Sequence, residues 1–295
     1  MSSTVAFLGT GNMGAPMVRR LLQAGFSVRA WNRTPSKVEP LQKLGAHAAE
    51  SPADAARGAD LLLLCLADAQ AVGAALFGDR GASESAESAR LLIDFSTIGP
   101  RATLDMAQRL RATCGTSWVD APVSGGVVGA EAGKLVMFCG GEPEDIDLAQ
   151  PVLRALAKRF ARIGGLGTGQ TLKLCNQLIV SANLVAISES LALARCNGLD
   201  IITLPAALAG GFADSLPLQV FGTRMAAGVT RPVLGEIGLM LKDLREVSSI
   251  AHGCGCDFPL LATALCAYEA ADERGLGHED LAALFINPVA ERLAG

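Results

Sequence analysis

The chain has 295 residues, half of them hydrophobic and 33 of them glycine, and its formal net charge is -4. This length is sufficient for two domains, each with its own core. The charge leaves no basic surface for nucleic acid, and the longest uncharged run is too short to predict a membrane span, so we expect neither partner. No basic leader precedes the first apolar segment, which predicts a cytoplasmic protein.

The eight cysteines lie mostly in apolar segments. We expect them to be reduced core residues, because nothing in the sequence indicates export. Cys254 and Cys256 form the only close pair, but their spacing is not typical of zinc or redox sites, and the three histidines are far away in the sequence. The sequence therefore predicts no metal site.

An apolar strand, a glycine-rich turn and a helix follow one another directly at the start of the chain, over residues 5–8, 9–14 and 15–25. A G-x-G-x-x-G sequence alone is weak evidence, but its place between a strand and a helix is typical of dinucleotide binding. The glycines suit a tight turn, a close approach of pyrophosphate to the backbone, and close packing of helix on strand. The candidate cofactor residues in this turn are Gly9, Gly11, Asn12, Met13 and Gly14.

A second predicted strand, residues 27–31, ends at Asn32, Arg33 and Thr34. Enzymes specific for NAD usually have an acidic residue near this position, where it accepts a hydrogen bond from the ribose 2′-hydroxyl. An amide, a guanidinium and a hydroxyl suit a 2′-phosphate better. We therefore expect NADP(H) to be preferred, with NAD(H) possible.

Strand and helix patterns alternate up to about residue 164, and nearly everything after it is helical. The alternation predicts an α/β, Rossmann-type, doubly wound and mostly parallel sheet, with its ligand crevice at the carboxyl ends of the strands. We expect a dinucleotide-binding domain over residues 1–164. Residues 165–295 are expected to form an all-α domain for substrate binding and oligomerisation, joined to the first by a long interdomain helix.

The long helix is expected over residues 167–198, which contain no proline. It has no charged residue between Lys173 and Glu189, so we expect it to be buried nearly all round. Lys173 and Asn176 fall on one narrow polar stripe. A buried ammonium group needs a partner, a wet cleft or a catalytic purpose, whereas the alternative is a lysine that reaches solvent at the helix end.

Two further segments carry polar groups. Ser124, Gly125 and Gly126 follow a predicted strand, and their N–H groups and hydroxyl can form a nest for a carboxylate, the alternative being an ordinary turn. Lys242 lies beside Asp243 in a late helix, where the alternative is a solvated pair.

Taken together, four motifs resemble the β-hydroxyacid dehydrogenase family: residues 7–17, 120–126, 167–177 and 242–244. They occur in the family's order and cover almost the whole chain. The resemblance implies hydride transfer between a nicotinamide and a small carboxylate-bearing aldehyde or hydroxy acid. Candidate substrates are tartronate semialdehyde, succinic semialdehyde and 3-hydroxyisobutyrate. It also implies assembly as a homodimer or homotetramer.

The resemblance gives roles to individual residues. It makes Lys173 the catalytic acid and base, and Asn176 a residue that holds the substrate. Ser124 and the two glycines after it bind the substrate carboxylate. Thr97 borders the nicotinamide, and Lys242 lies near the nicotinamide and substrate.

One segment differs from the family pattern: several relatives have a large aromatic or basic residue around position 235 or 236, and Gly235 here predicts a roomier or differently shaped pocket. Two alternatives stay open at this point. One is an imine reductase, which shares the architecture, although Lys173 disfavours it. The other is a non-catalytic nucleotide-binding assembly protein, which would need neither Lys173 nor the residues for a substrate carboxylate.

Overall fold

The computed structural model describes residues 3–286. Within them, the strands are β1 (Thr4–Leu8), β2 (Ser27–Trp31), β3 (His47–Ala48), β4 (Leu61–Leu64), β5 (Leu91–Asp94), β6 (Ser117–Asp120), β7 (Val123–Ser124), β8 (Leu135–Gly140) and β9 (Ala157–Gly164). The α-helices are α1 (Gly14–Gln23), α2 (Glu39–Gln42), α3 (Pro52–Ala56), α4 (Ala69–Phe77), α5 (Pro100–Cys114), α6 (Gly126–Glu131), α7 (Pro143–Leu156), α8 (Thr168–Cys196), α9 (Leu204–Leu208), α10 (Thr223–Ala227), α11 (Ile237–Gly253) and α12 (Pro259–Ala271).

All nine of these strands form one sheet in the order β3-β2-β1-β4-β5-β6-β8-β7, with β9 also paired to β8. The pairs are parallel except those of β8 with β6 and β7. The chain runs outward from β1 to β3 and then returns to add β4 on the other side of β1, which is a doubly wound arrangement. Val5 and Phe7 face one apolar core and Ala6 and Leu8 the other, so the sheet is covered on both faces.

The last residues of five parallel strands lie in one row across the sheet. Neighbours in the row are paired in register, and the row is Trp31, Leu8, Leu64, Asp94 and Asp120. The segments that follow these residues therefore leave the sheet at one edge, where ligands bind in open α/β sheets.

The chain divides into two compact units, Met1–Lys173 and Leu174–Gly295. The first contains the whole sheet, whereas the described part of the second is helical, with an apolar core built around Leu184, Leu244 and Tyr268. The predicted fold class is confirmed. The predicted boundary at residue 164 stays a prediction, since this division falls inside α8.

Helix α8 is not buried all round, and that prediction is wrong. Leu184 and Leu191 are buried in the helical core, but Ile179 and Leu193 are 68% and 67% exposed. The exposed pair is two heptads apart and so lies on one side of the helix. By length and composition α8 could also cross a membrane, which the sequence analysis did not expect, but its buried side makes it a core helix of the second unit.

Candidate active site

Three glycines of the turn at residues 9–14, here called the first glycine turn, have different surroundings. A Cβ on Gly9 would overlap the carbonyl oxygen of Cys65, and a Cβ on Gly14 would overlap that of Gly9. A Cβ on Gly11 would meet no described atom within 4 Å. Packing therefore requires Gly9 and Gly14, whereas the space beside Gly11 suits the close approach of a dinucleotide pyrophosphate.

The end of β2 is tied to the first glycine turn by the side chain of Asn32. Its Oδ1 accepts a hydrogen bond from the backbone N–H of Thr10 at 3.0 Å, and its Nδ2 donates to the carbonyl of Thr34 at 3.1 Å. Asn32 therefore orders this edge of the sheet, a role that the sequence analysis did not give it. Arg33 and Thr34 are exposed on the same loop. Asn12 is also exposed and Met13 half-buried.

The start of α8 is held at the same edge by Asp120, the last residue of β6. Its Oδ1 accepts from the N–H of Gly167 at 2.8 Å, and its Oδ2 accepts from the N–H of Gln170 at 2.7 Å. Burial raises the pKa of the Asp120 carboxyl to about 6, although the backbone N–H groups act in the opposite direction. Gly169 allows this approach, because a Cβ there would overlap the carbonyl oxygen of Phe138.

Gln170 joins the first turn of α8 to the loop after β5. Its amide is fully buried, donates to the carbonyl of Ser96 at 2.8 Å, and accepts from the N–H of Ile98 at 3.1 Å. Thr97 lies between these two partners. The sequence analysis missed Gln170, although a carboxamide at the apolar start of the long helix could have drawn attention to it.

Lys173 is one turn further along α8 and is 8% exposed. A lysine that reaches solvent at the helix end, the alternative considered above, would be far more exposed. Within unit 1, Lys173 lies on the helix that starts beside the carboxyl ends of β5 and β6. Thr97 follows β5, so it lies at the same end of the strands as the start of this helix.

Ser124, Gly125 and Gly126 form a second glycine turn at the end of β7. Ser124 is half-buried and paired with Val136 of β8, and both glycines are exposed. Their φ angles are +123° and +60°, a region in which side chains are strained. A Cβ on Gly125 would meet Leu135 at 3.5 Å, an ordinary contact distance. Backbone conformation therefore favours glycine at both positions, and Gly125 is not required by lack of room.

In unit 2, four polar side chains form a chain of contacts. The amide of Asn176 donates to Oε1 of Gln177 at 3.0 Å, and Nε2 of Gln177 donates to Oδ2 of Asp243 at 2.7 Å. Nζ of Lys242 is 2.9 Å from Oδ1 of Asp243. Asp243 is only 6% exposed, whereas the side chain of Lys242 is 32% exposed, so the pair is solvated on the lysine side alone. Sequence reasoning missed Gln177, which follows Asn176 directly.

Gly235 has a packing role in the structure. A Cβ there would lie 2.9 Å from Cδ1 of Leu281, so a side chain would require Leu281 to move. Its segment is also held by buried Asp280, whose Oδ2 accepts from the N–H of Leu234 at 2.6 Å. Among residues 3–286, no group of three or more His, Cys, Asp and Glu residues could hold a metal ion.

The fold and the first glycine turn are those of a dinucleotide-binding protein. Residues 4–165 match the family model described as the NAD binding domain of 6-phosphogluconate dehydrogenase. Residues 167–286 match the one described as NAD-binding of NADP-dependent 3-hydroxyisobutyrate dehydrogenase. The chain belongs to the β-hydroxyacid dehydrogenase family and is an NAD(P)-dependent hydroxyacid dehydrogenase. Both the resemblance and the enzymatic class expected from the sequence are confirmed.

Similar proteins within this group differ in cofactor and substrate. The chain is 34% identical over 259 residues to 2-hydroxy-3-oxopropionate reductase of Escherichia coli, covering 88% of each chain. It is 31% identical to NAD-dependent L-serine dehydrogenase of Pseudomonas aeruginosa, covering 94% of each. The solved structure "Psf3 in complex with NADP+ and 2-OPP" is 27% identical, with a TM-score of 0.87 and coverage of 95% of this chain and 98% of that one. The roles of the individual site residues stay predictions.

Proposed function

We propose that this enzyme prefers NADP(H) and interconverts a small semialdehyde acid with the corresponding hydroxy acid, a 3-hydroxy acid where the aldehyde carbon is C3. Tartronate semialdehyde, succinic semialdehyde and 3-hydroxyisobutyrate represent the expected substrate class. The observation that carries the proposal is the buried Lys173, on a helix whose first turn is fixed to the carboxyl ends of β5 and β6.

The proposed role of Lys173 is to hold and move the proton of the reacting oxygen. When bound, the reduced nicotinamide supplies the hydride that reaches the aldehyde carbon. Negative charge then develops on the carbonyl oxygen, and the Lys173 ammonium stabilises it and donates the proton that completes the alcohol. In the oxidative direction the neutral amine accepts this proton.

Substrate orientation is proposed to come from Ser124 and from the N–H groups of Gly125 and Gly126. A hydroxyl and successive N–H groups suit the oxygens of a carboxylate. Fixing the acid end of the substrate restricts the position of its aldehyde carbon, which lowers the entropic cost of reaching the transition state. Asn176 and Lys242 have proposed roles toward the substrate and the nicotinamide that rest on the family resemblance.

The NADP(H) preference is supported by the residues after β2. Asn32, Arg33 and Thr34 include no carboxylate, and the exposed Arg33 guanidinium suits a 2′-phosphate. The relatives support both cofactors, since one is named as NAD-dependent and another is a complex with NADP+. We therefore expect a quantitative preference and not exclusion of NAD(H).

We also propose a cytoplasmic homodimer or homotetramer, as the family resemblance implies. The exposed Ile179 and Leu193 of α8 support an assembly, because a row of large apolar side chains is a common feature of subunit interfaces. Sedimentation equilibrium on the purified chain tests the assembly directly, and a monomer at micromolar concentration would contradict it.

The function is tested by following NADPH oxidation with a panel of three- to five-carbon semialdehyde acids, and with cyclic imines as the competing class. For the mechanism, Lys173→Ala should lower kcat about 10²-fold or more, the effect expected when a positioned general acid is lost. Lys173→Arg should not restore activity, because a guanidinium scarcely releases its proton. Lys158→Ala, at an exposed lysine of β9, is the matched control and should retain wild-type turnover.

Two results would contradict the proposal. Reduction of imines in preference to every semialdehyde acid would assign the enzyme another substrate class. A folded Lys173→Ala protein that binds NADPH and keeps most of its kcat would show that Lys173 does not transfer the proton.

A further inference from the structure

Gln170 combines complete burial with hydrogen bonds that all go to one short backbone segment. Its Oε1 accepts from the N–H groups of Ile98 at 3.1 Å and Gly99 at 3.3 Å, and its Nε2 donates to the carbonyl of Ser96 at 2.8 Å. A buried carboxamide is favourable only when its polar atoms are satisfied, and this one has both its oxygen and its nitrogen engaged.

These bonds bracket Thr97. Ser96 and Ile98 are its two neighbours in the chain, so the Gln170 amide fixes the peptide groups on either side of it. Within residues 91–99, Thr97 is the only residue that is not buried. Gln170 therefore controls the backbone position of the one residue of this segment that is open to a ligand.

The backbone of Gln170 is fixed as well, because its N–H donates to the carboxylate of Asp120 at 2.7 Å. Lys173 follows three residues later in the same helix, an axial rise of about 4.5 Å. One residue thus joins the end of β6, the loop that carries Thr97, and the helix turn that carries Lys173.

We infer that Gln170 is a positioning residue that sets the separation between the Thr97 backbone and Lys173, so that the nicotinamide and the proton donor are both in register with the substrate. This inference rests on the proposed function, in which Thr97 borders the nicotinamide. Because Gln170 is fully buried, its proposed action is only through Thr97 and the first turn of α8.

The chemistry of the amide makes a graded test possible. Met has a similar length and flexibility but provides none of the three bonds. Glu keeps the acceptors for Ile98 and Gly99, and in its ionised form it cannot donate to Ser96 and repels its carbonyl oxygen; because burial favours the protonated form, which can donate, this variant is measured at high pH. Thr116→Val is the matched control, because Thr116 is also buried and donates to a backbone carbonyl, that of Ala89 at 2.9 Å, at the amino end of β6.

The experiment compares full-length Gln170→Met, Gln170→Glu and Thr116→Val, first by titration with NADPH and then by kinetics at saturating NADPH. In the titration, both Gln170 variants should have a Kd within about threefold of the wild type, since the first glycine turn is intact. Single-turnover hydride transfer should fall about 10²-fold in Gln170→Met, the loss expected from a displacement on the order of 1 Å, and less in Gln170→Glu, which keeps the bonds to Ile98 and Gly99. The kinetic isotope effect on kcat with NADPH deuterated at the transferred position should rise, and Thr116→Val should change only Tm.

A second measurement is independent of turnover. The fluorescence of bound NADPH reports the confinement of the nicotinamide, and both Gln170 variants should lose part of the enhancement that the wild type and Thr116→Val show. This fluorescence measurement tests the inference separately from the proposed function. A wild-type protein without activity would refute the function, whereas the emission of bound NADPH would still report how the nicotinamide is positioned.

The inference is overturned if folded Gln170 variants lower Tm but leave the isotope effect and the bound NADPH emission at wild-type values. It is also overturned if Thr116→Val changes these quantities equally. If Gln170→Met gives no folded protein, Gln170→Glu decides by the same measurements. Loss of folded protein in both variants would make Gln170 a residue of folding and would contradict the inference.

Discussion

The two turns of unit 1 are both rich in glycine but differ in what their glycines do. In the first, Gly9 and Gly14 have neighbouring carbonyl oxygens where a Cβ would be. In the second, Gly125 has room for a Cβ but a φ of +123°, and Gly126 has a φ of +60°. Side chains at Gly9 and Gly14 therefore conflict with the fold, whereas side chains at Gly125 and Gly126 strain a short exposed segment.

Gly11 separates structure from function within the first turn. It has neither the crowded surroundings of Gly9 and Gly14 nor a positive φ. Packing and conformation thus leave its glycine unexplained, and the proposed close approach of a pyrophosphate would account for it. Substitutions can therefore test each turn, because some should lower stability and others should lower ligand affinity.

The largest effect is expected for Gly14→Ala. Its Cβ would overlap the carbonyl oxygen of Gly9 and also approach the ring of Phe7 at 3.1 Å, so α1 could not pack on β1 as it does. Overpacking of this kind should cost on the order of 3 kcal/mol or more and leave little folded protein. Thermal unfolding and soluble yield measure the loss.

Gly11→Ala is the matched control for that substitution. It should fold with a Tm close to the wild type, yet bind NADPH at least tenfold more weakly by fluorescence titration. Equal Tm losses in Gly14→Ala and Gly11→Ala would remove the distinction between the two glycines. Unchanged NADPH affinity in Gly11→Ala would show that the pyrophosphate lies elsewhere.

Local patterns in the sequence were enough to predict this part of the molecule. The first glycine turn is contiguous with its strand and helix, the buried strand β4 is an unbroken apolar run, and β5 is apolar up to its last residue, Asp94. The two-residue strands β3 and β7 were not predicted, because two residues establish no periodicity.

Contacts between distant segments account for what the sequence could not show. Gln170 bonds to residues more than 70 positions away, and Asp120 bonds to the start of α8 across about 50 positions. Neither separation leaves a local pattern. The prediction that α8 is buried nearly all round failed for a related reason. An uncharged helix indicates apolar surroundings, but it does not indicate whether its own chain provides them.

A smaller effect is expected at the edge of the first turn for Arg33→Asp. If the guanidinium holds the 2′-phosphate, its loss should make the binding free energy of NADPH less favourable by about 1.5–3 kcal/mol, while NADH binding stays equal or improves. The ratio of kcat/KM for the two cofactors measures this preference. Arg159→Asp, at an exposed arginine of β9, is the control and should leave the ratio unchanged. Equal losses for both cofactors would show that Arg33 does not recognise the phosphate.

The smallest effect, and the one that separates the turns most clearly, is expected for Ser124→Ala. Removing one hydroxyl from an exposed turn should leave both the fold and NADPH affinity intact, in contrast to changes in the first turn. If Ser124 contacts the carboxylate, KM for semialdehyde acids should rise about tenfold, because a hydrogen bond to a charged group contributes about 1.5 kcal/mol.

Neutral aldehydes of the same length provide the control for Ser124→Ala, and their kcat/KM should change less than twofold. Gly125→Ala should impair the acids more than Ser124→Ala does, because strain at a positive φ shifts the N–H groups as well. If kcat/KM fell equally for acids and neutral aldehydes, the second turn would be an element of the fold and not a binding site for the carboxylate. The substrate carboxylate would then bind at another site, and only the first glycine turn would have a function in binding a ligand.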